Sequence, residues 1–162
     1  MPHRAPRLVL ALALLPALLL ALSSCSIKRW AIGSVANSLT SGVDVYGTDD
    51  DPELVRDALP FGLKTMESLL TVVPEHEGLL LTLCQGFTQY SYAFVQAEGD
   101  LLVNSDYPRA TRLHERALKL YLRARGYGLR GLEKRYRGIS AELQLDPAKA
   151  AARIRQRDLA ML

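Results

Sequence analysis

The chain has 162 residues, 49% of them hydrophobic and 23% charged, which suits one packed domain and excludes a disordered polypeptide. Its formal charge of +3 falls by two when a leader carrying Arg4 and Arg7 is set aside, so bulk charge gives no support to a nucleic-acid partner. The two cysteines form no disulfide framework, because one lies in a lipidation signal, and the fold must stand on packing.

Arg4 and Arg7 precede an apolar run from Leu8 to Leu22, and Leu22-Ser23-Ser24-Cys25 closes it. This pattern reads as a bacterial lipobox, with residues 1–24 a signal peptide, cleavage between Ser24 and Cys25, and lipid on the Cys25 thiol. A transmembrane helix is the weaker reading, since a span needs about 20 apolar residues and Pro16 interrupts this run. Two or three acyl chains on Cys25 would anchor the chain stably. The expected location is the cell envelope, facing the periplasm. The outer membrane is favoured over the inner because Ser26, not aspartate, follows the modified cysteine.

Residues 25–50 are expected to form a lipidated amino end, a first helix over Ile27–Leu39 and a loop, with a helical domain over 51–162. Asp51-Pro52 is a helix start: the carboxylate caps free N–H groups and proline lacks one where none is needed. A calcium site on Asp49-Asp50-Asp51 is rejected, because the ligands do not alternate and the turn glycine is missing. The helix from Pro52 to about Val73 should kink at Pro60 and end before Pro74.

The next helix, Glu77 to Ala97, carries no charge from Gly78 onward and should be central. Leu80, Leu83, Cys84, Phe87 and Phe94 share one face, while Thr82, Gln85, Gln89 and Gln96 share another. Gln85, Phe87, Gln89, Tyr90 and Phe94 are the candidates for lining a ligand cavity, against the plainer reading of core aromatics and solvated amides. Cys84 reads as an inert core thiol.

After a connector from Leu101 to Tyr107, Asp106-Tyr107-Pro108 should open a helix over Arg109–Leu132. Leu113, Ala117, Leu120, Tyr121, Ala124 and Gly128 point inward, while Arg112, Arg116, Lys119 and Arg123 form a basic face. That face is a candidate for docking an acidic partner or membrane headgroups, or else a solvated surface paired with the acidic stretch Asp44–Asp57. Gly126-Tyr127-Gly128-Leu129-Arg130-Gly131 spells G-x-G-x-x-G but follows a helical run rather than a strand, so it is read as close helix contacts or a helix end, not a dinucleotide site. Asp146-Pro147 should start a last helix, Ala148 to Leu162.

His76 and His114 lack ligand spacing, and no nucleophile elbow, zincin pattern or P-loop occurs. No enzyme, metal or cofactor is expected. The fold class predicted is all-α, an array of antiparallel helix pairs like degenerate tetratricopeptide repeats.

Three blocks, Asp51–Phe61, Gly86–Gln96 and Leu120–Glu133, resemble the TatT family, lipoprotein T components associated with tripartite ATP-independent periplasmic (TRAP) transporters. The resemblance implies cryptic tetratricopeptide-like repeats, a homotrimer, a cavity or pore through each subunit, and a periplasmic solute-binding protein as partner, passing a hydrophobic or organic-acid ligand. The family is longer, which implies further helices beyond Leu162. The competing function is a structural adaptor lipoprotein of the envelope that handles no small ligand.

Overall fold

The computed structural model describes residues 26–41 and 46–162; the signal peptide, Ser24, Cys25 and residues 42–45 lie outside the described residues. The described residues are all-α, with no strand among them. Helix α1 covers residues 26–40. It leans on the body through Ala36, which is fully buried, and through Arg29 Nε, which donates to the Val72 carbonyl at 3.4 Å.

Helix α2 is Pro52–Val72. Asp51 caps it as expected, Oδ1 accepting from the amides of Glu53 and Leu54 at 3.1 and 3.0 Å. Asp49 accepts from the Asp51 amide at 2.9 Å. Two carboxylates of the acidic run are thus spent on the turn and the cap. The helix passes through Pro60 without a break.

Helix α3, Glu77–Tyr90, is capped by His76, whose Nδ1 accepts from the Leu79 amide at 3.1 Å while Nε2 meets Asn37 Oδ1 of α1 at 3.0 Å. It continues into a π-helical segment, Ser91–Gln96, and then α4, Ala97–Leu102, so the run outlasts the expected end at Ala97. Thr88 and Ser91 donate back to the carbonyls of Cys84 and Phe87 at 2.8 and 2.5 Å. Hydroxyls bonding to ladder carbonyls loosen an α-helix, and the wider π turn starts at the second of them.

Helix α5, Tyr107–Arg135, is opened by Asp106, which accepts from the Arg109 amide at 3.0 Å. Ala110, Ala117, Ala124 and Gly131 recur every seven residues on its buried side, and these small residues let α5 lie close along α3. Antiparallel pairing is marked by Arg109 reaching Glu98 at one end and Arg135 reaching Glu77 at the other. The α2–α3 pair is antiparallel too, with Arg56 on Glu98. Such pairing is compatible with a tetratricopeptide-like array.

The carboxyl end departs from expectation. Gly138, at φ +80°, parts α5 from α6, Ile139–Leu145, and Asp146 parts α6 from α7, Pro147–Arg153, before a 3-10 segment over Gln156–Met161. In place of one helix to Leu162, the chain turns at Ile154 and Arg155 and returns onto α5. Tertiary contacts cause the turn: Asp158, almost fully buried, is held by Arg135 and by Tyr136 Oη at 2.7 Å. The Tyr136 hydrogen bond and the Arg135 charge hold the Asp158 carboxyl below the usual carboxylate range despite its burial.

Candidate functional site

α2 and α5 flank α3, and a concave face opens between them. Aromatic rings mark the α3–α5 seam beside it: Phe87 stacks with Tyr127 at 6.0 Å between centroids, and Tyr90 tilts against Phe94 at 5.8 Å. Arg116, Arg123 and Arg130 recur every seven residues and so project from one side of α5. Each guanidinium sits over a ring, Arg116 on Tyr90 at 5.8 Å, Arg123 on Phe87 at 5.0 Å and Arg130 on Tyr127 at 5.8 Å.

One buried carboxylate ties this ladder to α2. Glu67, only 9% exposed, accepts from Arg123 Nε at 2.5 Å and Nη2 at 2.8 Å, a two-pronged pair. Lys64 Nζ at 2.6 Å and Tyr127 Oη at 2.5 Å complete the knot. Burial pushes the Glu67 carboxyl up, but hydrogen bonds from Lys64 and Tyr127 and the Arg123 charge outweigh it, so the group is held below the usual range. Burial and the Glu67 hydrogen bond push the Tyr127 phenol up.

Two open concavities share Pro74 and Arg130 here. One of about 460 Å³ is lined by Lys64, Thr71, Arg123 and Tyr127, and one of about 630 Å³ runs on to Lys134 and Arg137. Glu133 is occupied, accepting from the Gly138 and Ser140 amides at 2.5 and 3.2 Å. Glu67 and Glu133 are satisfied internally, and the exposed Glu75 stands at the rim 3.9 Å from Lys134; beside the rings the face presents the guanidinium groups of Arg116, Arg123 and Arg130, a geometry suited to planar carboxylates.

A family model described as the TRAP transporter T-component matches residues 48–162. The chain belongs to that family. The family's description names a component of TRAP transporters. A protein of Treponema pallidum (strain Nichols), named only as uncharacterized, is 34% identical over 135 residues, covering 75% of this chain and 42% of the relative. The chain thus spans less than half the length of that relative. No helix among the described residues is long and apolar enough to cross a membrane.

In this T-component the sequence candidates fall into two groups. Phe87, Tyr90 and Phe94 gather under Arg116 and Arg123, merging part of the cavity set with part of the basic face. Phe87 is itself buried in the core. Gln85 and Gln89 lie on the other side of α3, exposed in a groove of about 480 Å³ beside Tyr121, Leu122 and Leu162. Arg112 and Lys119 are exposed one helical turn on either side of Arg116, on the ladder's side of α5. Cys84 is buried, and burial pushes its thiol up, which suits a core residue rather than a nucleophile.

Sequence reading missed Glu67, Tyr127 and Arg130. The arginines carried a signal, the seven-residue recurrence through Arg130. Glu67 carried a fainter one, a carboxylate amid Leu63, Met66 and Leu70 on the buried side of α2.

Among the glycines of the rejected nucleotide motif, the close-contact reading holds at two positions. An added Cβ on Gly128 would lie 2.1 Å from the Met161 carbonyl oxygen, and one on Gly131 2.7 Å from Met161 Sδ, while Gly126 has open space. All three are inside α5, where their amides belong to the helical ladder and not to a phosphate.

Proposed function

We propose that this T-component is a periplasm-facing lipoprotein, anchored through Cys25, that docks the periplasmic solute-binding protein of a TRAP system and assists uptake of an organic-acid or hydrophobic ligand. The arginine and aromatic ladder on the concave face is the observation that carries the reading. Guanidinium groups preset over aromatic rings lose little freedom on binding, so an acidic patch of a partner meets a surface that is already arranged. Assembly as a homotrimer and an outer-membrane location belong to the same proposal.

The purified protein and a periplasmic solute-binding protein of a TRAP system from the same organism provide the test. Reversing the two ladder arginines that do not hold Glu67, Arg116→Glu with Arg130→Glu, should weaken binding at least about tenfold, equivalent to ~1.4 kcal/mol, and flatten its salt dependence. Circular dichroism checks that the variant is folded. Unchanged affinity in a folded variant would remove the concave face as the docking surface and leave the adaptor reading in its place.

A further inference from the structure

Helix α1 carries a surface that the body leaves uncovered. Its inner side holds Ala36, Arg29 and the contact of Asn37 with His76. The opposite side presents Ile27, Trp30, Ala31, Ser34, Val35 and Ser38, with no charge among them. Trp30 is 76% exposed and Ile27 63% exposed, an unusual state for a large aromatic and a branched aliphatic one turn apart. The charged residues of α1 are Lys28 and Arg29; the first is exposed at the border of this face and the second is turned inward to Val72.

We propose that the outer face of α1 lies in the membrane interface, with Trp30 and Ile27 sunk at headgroup depth. The inference rests on the lipid anchor at Cys25 proposed above. Ser26, the first residue of α1, directly follows that cysteine, and Trp30 is about 6 Å beyond Ser26 along a helix rising ~1.5 Å per residue. An acylated Cys25 therefore holds this face within the headgroup layer. Tryptophan's amphipathic ring favours that layer, and a flanking lysine meets anionic lipid there. A partner protein would need to reach the same surface against the bilayer. Because α1 is fastened to the α2–α3 end by Ala36 and the Asn37–His76 contact, it would orient the body on the membrane rather than act as a loose tether.

Trp30 is the chain's single tryptophan, so intrinsic fluorescence reports this position alone. The full chain, isolated with its own amino-terminal modification, is mixed with vesicles of phosphatidylethanolamine and phosphatidylglycerol, with and without brominated lipid. The expected result is a blue-shifted emission, loss of acrylamide quenching, and quenching by bromines near the headgroups. Ile27→Glu with Val35→Glu should return the emission toward the solvent value while the protein still floats with the vesicles. Flotation and the mass of the amino-terminal peptide decide the anchor separately. An emission that stays red and acrylamide-accessible overturns the inference whether or not the chain is lipidated. A shift in a chain that lacks lipid supports it and defeats the anchor.

Discussion

Glu67→Gln should lower the unfolding free energy by about 2 kcal/mol at neutral pH, read from urea denaturation. The variant keeps the shape of the side chain and removes its charge, leaving Arg123 and Lys64 without their counter-ion. Breaking a fully buried pair costs ~3–5 kcal/mol, but Arg123 is 43% and Lys64 64% exposed, so water recovers part of the loss. The pH dependence supplies a sharper check. The folded Glu67 carboxyl titrates below its unfolded value of 4.5, so its contribution is present above about pH 4.5 and is lost as pH falls through the folded value. The gap between wild type and Glu67→Gln should therefore close on acidification. A constant gap down to pH 3 would mean that packing, not charge, makes the difference.

Gly128→Ala should destabilise the fold by about 1–3 kcal/mol and release the carboxyl-terminal segment. The added methyl group would meet the backbone oxygen of Met161 at 2.1 Å and Cys84 Sγ at 3.0 Å, and neither is the free end of a flexible chain. Replacing a mid-helix glycine by alanine ordinarily stabilises by ~0.5–1 kcal/mol, and Gly126→Ala, facing open space, should show that gain. The two substitutions sit two residues apart on one helix and should act with opposite sign. Thermal melts measure the sign, and trypsin cleavage at Arg155 and Arg157 reports release of the segment. Equal melting temperatures for the two variants would contradict the seating of Met161 on α5.

The helix starts were the most legible part of the sequence. Asp51-Pro52, Asp106 before Pro108, and Asp146-Pro147 each pair a capping carboxylate with a proline in the first turn, and each cap forms. Local chemistry decides such positions, so local reading finds them. The α3 run was legible as central because a stretch of that length without charge needs cover on several sides. Its π segment was not, because back-bonding by Thr88 and Ser91 is one of several options open to those hydroxyls. The carboxyl end misled for a different reason. Ala148 to Leu162 has helix-forming composition, but Arg135 and Tyr136 fix Asp158 and the α5 glycines receive Met161, so distant partners override propensity.

The site divides in the same way. Arg116 and Arg123 were visible from helical spacing on α5, as was the aromatic content of α3. Their union needed the α3–α5 register, which small residues at Ala117 and Ala124 permit but do not announce. Glu67 joins Arg123 and Tyr127 across 56 and 60 residues of sequence, and a lone carboxylate in an apolar stripe names no partner.

The most direct measurement of the central claim is capture from cells. The full T-component, tagged at its carboxyl end and carrying a photo-crosslinking amino acid in place of Tyr90, is irradiated in growing bacteria and purified from the membrane fraction. A crosslink to a periplasmic solute-binding protein, abolished by Arg116→Glu with Arg130→Glu, is the predicted result. Crosslinks to other envelope proteins with the solute-binding protein absent would contradict the account.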